Sequence, residues 1–253
     1  MKLTSFGGAD GVTGSKHLID VGGTRILLDC GLFQGLKLHR ERNWQPLPID
    51  LASIDAVVLS HAHLDHSGWL PVLARQGWRG PVIASPATRD FAAVLLADSA
   101  HLQEEDARRT NKYTTSRHGK ALPLYTRADA ARAMTRFMPL APGRSTRIGR
   151  VEVTLTPAGH LLGACAVTLA AGRERIVFSG DLGMRKRPVL NDPEKVIPEA
   201  DVLVIESTYG DRLHRPMPET EDEIVAAVGR TNACHGNLII PSFAVGRTQE
   251  IIY

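Results

Sequence analysis

The sequence predicts an α/β protein in which sheets are covered by helices. Three observations carry this. Short apolar runs with strand composition recur along the chain. Helical patterns are interleaved with them rather than segregated. The order is many strands first, then helices mixed with strands, which argues against an all-α or all-β protein.

The elements follow in order. KHLIDV and TRILLDCG are strands separated by Gly22–Gly23, a hairpin signal. Residues 36–48 are polar and loop-like. IDAVVLS is a buried strand that runs straight into HAHLDHSG, and GWLPVLARQGW resumes with helical spacing. PVIAS is another buried strand, followed by a helix over about 86–109. TNKYTTSRHGKALPLYT lacks a period and is expected to be a loop, and DAARAMTRFM a short helix. RIGRVEVTLTPAGH, GACAVTLAAG, RERIVFSGDLG and ADVLVIESTYG read as strands closed by polar turns. PETEDEIVAAVGRTNA is helical, with acidic residues in its first turn, where they suit the helix dipole. HGNLIIPSF reads as a strand and TQEIIY as the start of a further helix. That last apolar pattern has no stop signal, so a C-terminal cut is expected.

The 253 residues, 43% hydrophobic and 23% charged, suit a globular protein and exclude a disordered or fibrous one. No run of 18 apolar residues spans a membrane, and the N-terminus lacks the apolar core of a signal peptide. A cytoplasmic protein is expected. Cys30, Cys165 and Cys234 form neither a disulfide framework nor a CxxC motif. Basic charge crowds into residues 101–150, which hold 11 Lys and Arg against 4 Asp and Glu. That segment reads either as a solvated helical face or as a phosphate-binding face. Aromatics make up only 5% of the chain, so a stacking platform is not expected.

Four potential metal ligands fall within six residues: His61, His63, Asp65 and His66. They follow a strand, which holds them rigidly, and precede a helix. In an extended stretch His61 and His63 point the same way. Asp65 and His66 lie past the turn and can face a second ion. Imidazole and carboxylate suit zinc, and also manganese or iron. Asp29, His160 and Asp181 each close a later or earlier apolar strand. Together with the cluster they suggest donors converging on one sheet edge. The remaining histidines, His17, His39, His101, His118, His214 and His235, lie outside any ligand spacing.

HAHLDH resembles the HxHxDH motif of the metallo-β-lactamase fold, and Asp29, His160 and Asp181 match its other N-terminal motifs in order. The resemblance implies an αββα sandwich of two mixed sheets with helices on both outer faces. It implies His61, His63 and His160 on one metal, Asp65 and His66 on a second, and Asp181 bridging both. Asp29 is expected to orient the cluster. IESTYGDRLHRP resembles the β-CASP branch of nucleic-acid-processing nucleases, and Glu206 matches its first extra acidic motif. LIIPSFAVGRTQEIIY is similar to the opening of the inserted cap domain of that branch. The implied domains are residues 1–207, the metallo-β-lactamase part, and 208–253, the start of the cap.

The implied function is hydrolysis of RNA phosphodiesters through a water activated by two zinc ions, with Asp65, Glu206 and Asp29 as catalytic candidates. Members of the branch continue beyond the motifs present here, and no residue of this chain matches their catalytic histidine or their further histidine ligand. Two alternatives stay open. One is a small-ester or thioester hydrolase of the same fold. The other is a truncated, non-catalytic subunit binding RNA or a partner. The 208–253 segment is expected to be mobile or to dock on another copy of the chain as a homodimer.

Overall fold

The structure is a computed structural model and describes residues 1–113, 119–187, 189–194, 198–213 and 215–253. His118 and His214 lie outside the described residues, as does part of the loop expected over 110–126. The chain divides into two compact units, Met1–Ile205 and Glu206–Tyr253.

The first unit holds two sheets. The first is ordered β1 (Lys2–Gly7), β2 (Lys16–Val21), β3 (Thr24–Leu28), β4 (Ala56–Val58), β5 (Val82–Ala84) and β6 (Phe137–Pro139). Its first three strands are antiparallel and the rest parallel. The β2–β3 turn is Gly22–Gly23, both at positive φ (56° and 89°), as a two-residue hairpin of the twisted type requires. The second sheet joins β7 (Ser145–Ile148), β8 (Val151–Pro157), β9 (Cys165–Ala171), β10 (Glu174–Phe178) and β11 (Val202–Val204) in the order β11-β10-β9-β8-β7. Only β10–β11 is parallel.

Alternation of side chains along the first sheet builds two cores. Ile19, Ile26, Leu28, Val58 and Ile83 face the second sheet and pack with Val151, Val153, Leu155, Val167, Leu169, Ile176 and Phe178. Their neighbours Leu18, Leu27, Val57 and Val82 face the other way, against helices. Those helices are α3 (Leu70–Arg75), α4 (Pro86–Tyr113) and α5 (Arg127–Met134), which follow α1 (Lys37–Glu41) and α2 (Leu64–Ser67). The buried residues of α4, Thr88, Ala92, Leu96, Ser99 and Ala100, recur at helical spacing and form one stripe. Thr126 and Asp129 close a capping box that starts α5.

Some expected elements differ. Residues 36–48 contain the short helix α1 and a 3-10 turn rather than loop alone. The expected DAARAMTRFM helix stops at Met134, because Phe137–Pro139 pairs with β5 as an edge strand. In the second unit, α6 (Met217–Ala233) and α7 (Arg247–Ile252) form as expected. HGNLIIPSF does not form a strand: it finds no ladder partner among the described residues, and a strand exists only by exchanging hydrogen bonds with a neighbour. Neither helix of this unit has a buried residue, and no helix among the described residues is long and apolar enough to cross a membrane.

Candidate metal centre

Strand ends deliver the donors. β4 leads through Leu59 and Ser60 to His61 and His63, whose Nε2 and Nδ1 atoms lie 3.0 Å apart. The turn after β8 brings His160 Nε2 to 3.3 Å from His63 Nδ1. The turn after β10 brings Asp181 Oδ2 to 3.7 Å from His61 Nε2 and 3.4 Å from His160 Nε2. One atom from each of the four lies within 4.8 Å of all the others. Donors about 2.0–2.2 Å from a tetrahedral cation stand roughly 3.3–3.6 Å apart. Three imidazoles and a carboxylate at this spacing fit a divalent metal.

A second group adjoins the first. Asp181 Oδ1 is 3.2 Å from His66 Nε2, which is 3.8 Å from Asp65 Oδ2. The two oxygens of one carboxylate thus face two separate sets of donors. Asp29 fixes the second set from behind. It is fully buried and holds φ at 58°, the left-handed region. Its Oδ2 accepts from His66 Nδ1 at 2.7 Å, from the Ser15 hydroxyl at 3.0 Å and from the Ser60 hydroxyl at 3.0 Å. Its Oδ1 accepts the Ser60 backbone N–H at 2.8 Å. Because Nδ1 of His66 donates to Asp29, Nε2 is the atom left to face Asp181 and a cation.

Electrostatics follow from this placement. Burial, helped by the neighbouring imidazoles, pushes His61 well below the ordinary imidazole range, so it offers a neutral donor. Burial acts the same way on His66, but the charge of Asp29 and its hydrogen bonds with Asp181 and Asp29 outweigh it and raise its pKa well above that range. Burial raises Asp65. Burial also opposes ionisation of Asp181, yet the hydrogen bond and charge of His66 leave its carboxyl more acidic than usual. The two carboxylates on either side of His66 thus favour its positively charged form, and a cation held at Nε2 would take the place of that proton.

The backbone holds these loops in contact. Ser15 N–H donates to Asp65 O, Cys30 N–H to His66 O and Leu32 N–H to Leu64 O, which lash α2 to the end of β3. A Cβ on Gly31 would sit 1.6 Å from Asp65 O, so only glycine allows this approach. Cys165 N–H donates to Ser60 O, binding the ends of the two sheets together, and Gly183 N–H donates to Ala158 O, joining the turns after β10 and β8.

All seven strand-end residues expected from the sequence therefore meet, except that Asp29 reaches the cluster through His66. Glu206 belongs to the second unit. Sequence reasoning missed Ser15 and Ser60. Ser60 directly precedes His61 and was open to notice, whereas nothing in GVTGSK marks Ser15. In the basic segment, Arg108, Arg127 and Arg132 pair with Glu105, Glu104 and Asp129, the behaviour of a solvated helical surface.

Residues 10–227 match the metallo-beta-lactamase superfamily. The chain belongs to this superfamily. It is 41% identical over its whole length to Ribonuclease TTHA0252 of Thermus thermophilus, covering 54% of that protein. It is 31% identical over its whole length to the transcription termination factor FttA of Cenarchaeum symbiosum, covering 38% of it. Over 99% of its length it is 30% identical to the endoribonuclease YSH1 of Yarrowia lipolytica, covering 29% of that protein. The chain thus spans about half the length of the first relative and less of the others. The branch resemblance read from IESTYGDRLHRP agrees with these relatives.

Proposed function

We propose that this superfamily member carries the metal-bearing part of a ribonuclease, a hydrolase that cleaves RNA phosphodiesters with two zinc ions. The observation that carries the reading is Asp181, whose two oxygens face two donor sets. The ribonuclease and endoribonuclease names of the relatives support it. His61, His63 and His160 would hold one ion, Asp65 and His66 the other, with Asp181 shared. Bound there, a pair of divalent ions would supply a water acidified toward about pKa 7 and would stabilise charge growing on phosphoryl oxygens.

The residues of the chain do the remainder. Asp65 would accept a hydrogen bond from the attacking water while also holding the second ion. Asp29 positions His66. Glu206 is assigned to the support of leaving-group protonation, on the family pattern. Lys and Arg of 101–150 not held in ion pairs are assigned to the RNA backbone, so affinity falls with salt. Residues 1–207 form the catalytic domain in this reading, and 208–253 open the cap. The protein acts in the cytoplasm, and a homodimer through the second unit belongs to the same proposal.

Elemental analysis and cleavage of end-labelled RNA test it together. Protein purified without chelator is expected to carry up to two zinc ions per chain, and Asp181→Ala to lose at least one. Asp181→Ala with both ions retained sinks the proposal. Metal without RNA cleavage, joined to turnover of a neutral thioester independent of salt, favours the small-ester hydrolase.

A further inference from the structure

A second polar feature lies apart from the metal donors. Lys16, the first residue of β2, is only 2% exposed. Its Nζ has three N–H groups, and one of them donates to Gly14 O at 3.3 Å. It forms no ion pair among the described residues within 4 Å of a carboxylate. Instead it lies 4.4 Å from the centre of the Phe33 ring and 5.5 Å from that of Trp69. The Arg42 guanidinium sits over the same Phe33 ring at 3.9 Å. Two cations on one aromatic ring leave excess positive charge, because among the described residues the carboxylate paired with them is that of Asp10, 2.9 Å from Arg42. Burying an ammonium without a counter-ion is costly unless something supplies the missing charge.

These groups line a cleft of about 150 Å³, together with Phe6, Gln45 and Trp69. None of His61, His63, His160 and Asp181 lines it. Apolar walls lower the local dielectric and strengthen any ion pair formed inside. The Gln45 amide adds a third possible donor.

We propose that the cleft between Lys16, Arg42 and Gln45 binds a small oxyanion, the phosphate or carboxylate group of a ligand, independently of the metal centre. The Lys16 ammonium supplies charge-assisted hydrogen bonds from the bottom, and the Arg42 guanidinium closes on the anion from the rim. Burial pushes the Lys16 amine down to about 8, with the Arg42 charge acting in the same direction. It stays mainly protonated at pH 7, and an anion in the cleft raises it again.

The test uses the metal-loaded chain, titrated calorimetrically at pH 7 with inorganic phosphate, methyl phosphate and acetate. NMR of the Lys16 Nζ resonance in ¹⁵N-lysine-labelled protein reads the same site without a variant. A saturable shift of that resonance is expected, with Lys16→Met weakening the matching isotherm about tenfold or more, the loss of one charge-assisted bond. Arg42→Gln is expected to weaken it in the same direction. Saturation by methyl phosphate but not acetate assigns a phosphate ester; saturation by acetate as well assigns a carboxylate. A Nζ resonance indifferent to all three anions overturns the proposal. So does an isotherm unchanged in a folded Lys16→Met protein, since phosphate would then sit at the metal centre alone.

Discussion

Replacing Asp29 separates what holds the fold from what tunes the metal. Its carboxylate accepts four hydrogen bonds in a fully buried position. Asp29→Ala strands all four donors. The Ser15 and Ser60 hydroxyls can rotate, and Ser60 already has His61 Nδ1 at 3.0 Å. The Ser60 N–H and His66 Nδ1–H cannot, and each buried unsatisfied donor costs about 1–3 kcal/mol. Alanine at φ 58° adds roughly 1 kcal/mol, because its Cβ crowds the following carbonyl. The expected loss is about 3–7 kcal/mol in urea melts of chelator-treated protein.

Asp29→Asn behaves differently. Asparagine tolerates the left-handed backbone and keeps one acceptor, which the immobile Ser60 N–H claims. The amide –NH2 then faces His66 Nδ1, which must turn into an acceptor and carry its proton on Nε2. A protonated Nε2 cannot bind metal. Metal affinity at the Asp65/His66 side is expected to fall about 10–100-fold, with stability changed far less than in the alanine variant. Competition against a fluorescent chelator measures the affinity, and ¹⁵N NMR reads the tautomer. Asp29→Ala within about 1 kcal/mol of wild type, or Asp29→Asn with unchanged affinity for both ions, refutes the reasoning.

Three further outcomes are expected. Gly31→Ala should lose metal content and melt well below wild type, because its methyl would overlap Asp65 O at 1.6 Å; near-native melting with full metal content contradicts that packing. In chelator, the raised pKa of His66 contributes stability that is fully present below its unfolded value of roughly 6.5 and is lost as pH rises through the folded value. Depressed His61 gives the opposite slope only below that value, and lowered Lys16 only as pH rises to about 8, so denaturation from about pH 6.5 to the onset of Lys16 titration reads His66, and His66→Gln should flatten the curve there. Glu206→Ala should leave metal content unchanged by elemental analysis, and loss of an ion would make Glu206 a ligand.

What the sequence disclosed depended on how local the causes were. His61, His63, Asp65 and His66 lie within one strand end and turn, so their convergence is written in adjacent letters. Asp181 and His160 were legible as polar residues closing apolar strands, although their meeting depends on two sheets closing at one edge. Ser15 joins Asp29 across 14 residues and a sheet edge, and no period or composition encodes such a bond. Phe137–Pro139 read as the end of a helix because local pattern favoured it, and pairing with β5 overrode that preference. LIIPSF failed for the reverse reason: its apolar residues suit a strand, but strand formation needs a neighbour. Lys16 opens KHLIDV with nothing in the sequence to set it apart, and its packing against Phe33 and Trp69 belongs to the folded chain alone.

The donors come from both sheets: His61, His63 and His66 follow β4, while His160 and Asp181 follow β8 and β10. A cation among them is therefore a fastener across the seam between the layers. Ligand binding to the native state alone adds about 2.7 kcal/mol at a hundredfold excess over its dissociation constant. For a protein of ordinary stability that is a large fraction of the whole. Metal supply then bears on folding as well as on chemistry. A chain without metal is expected to open more often at this seam, which limited proteolysis with and without chelator measures.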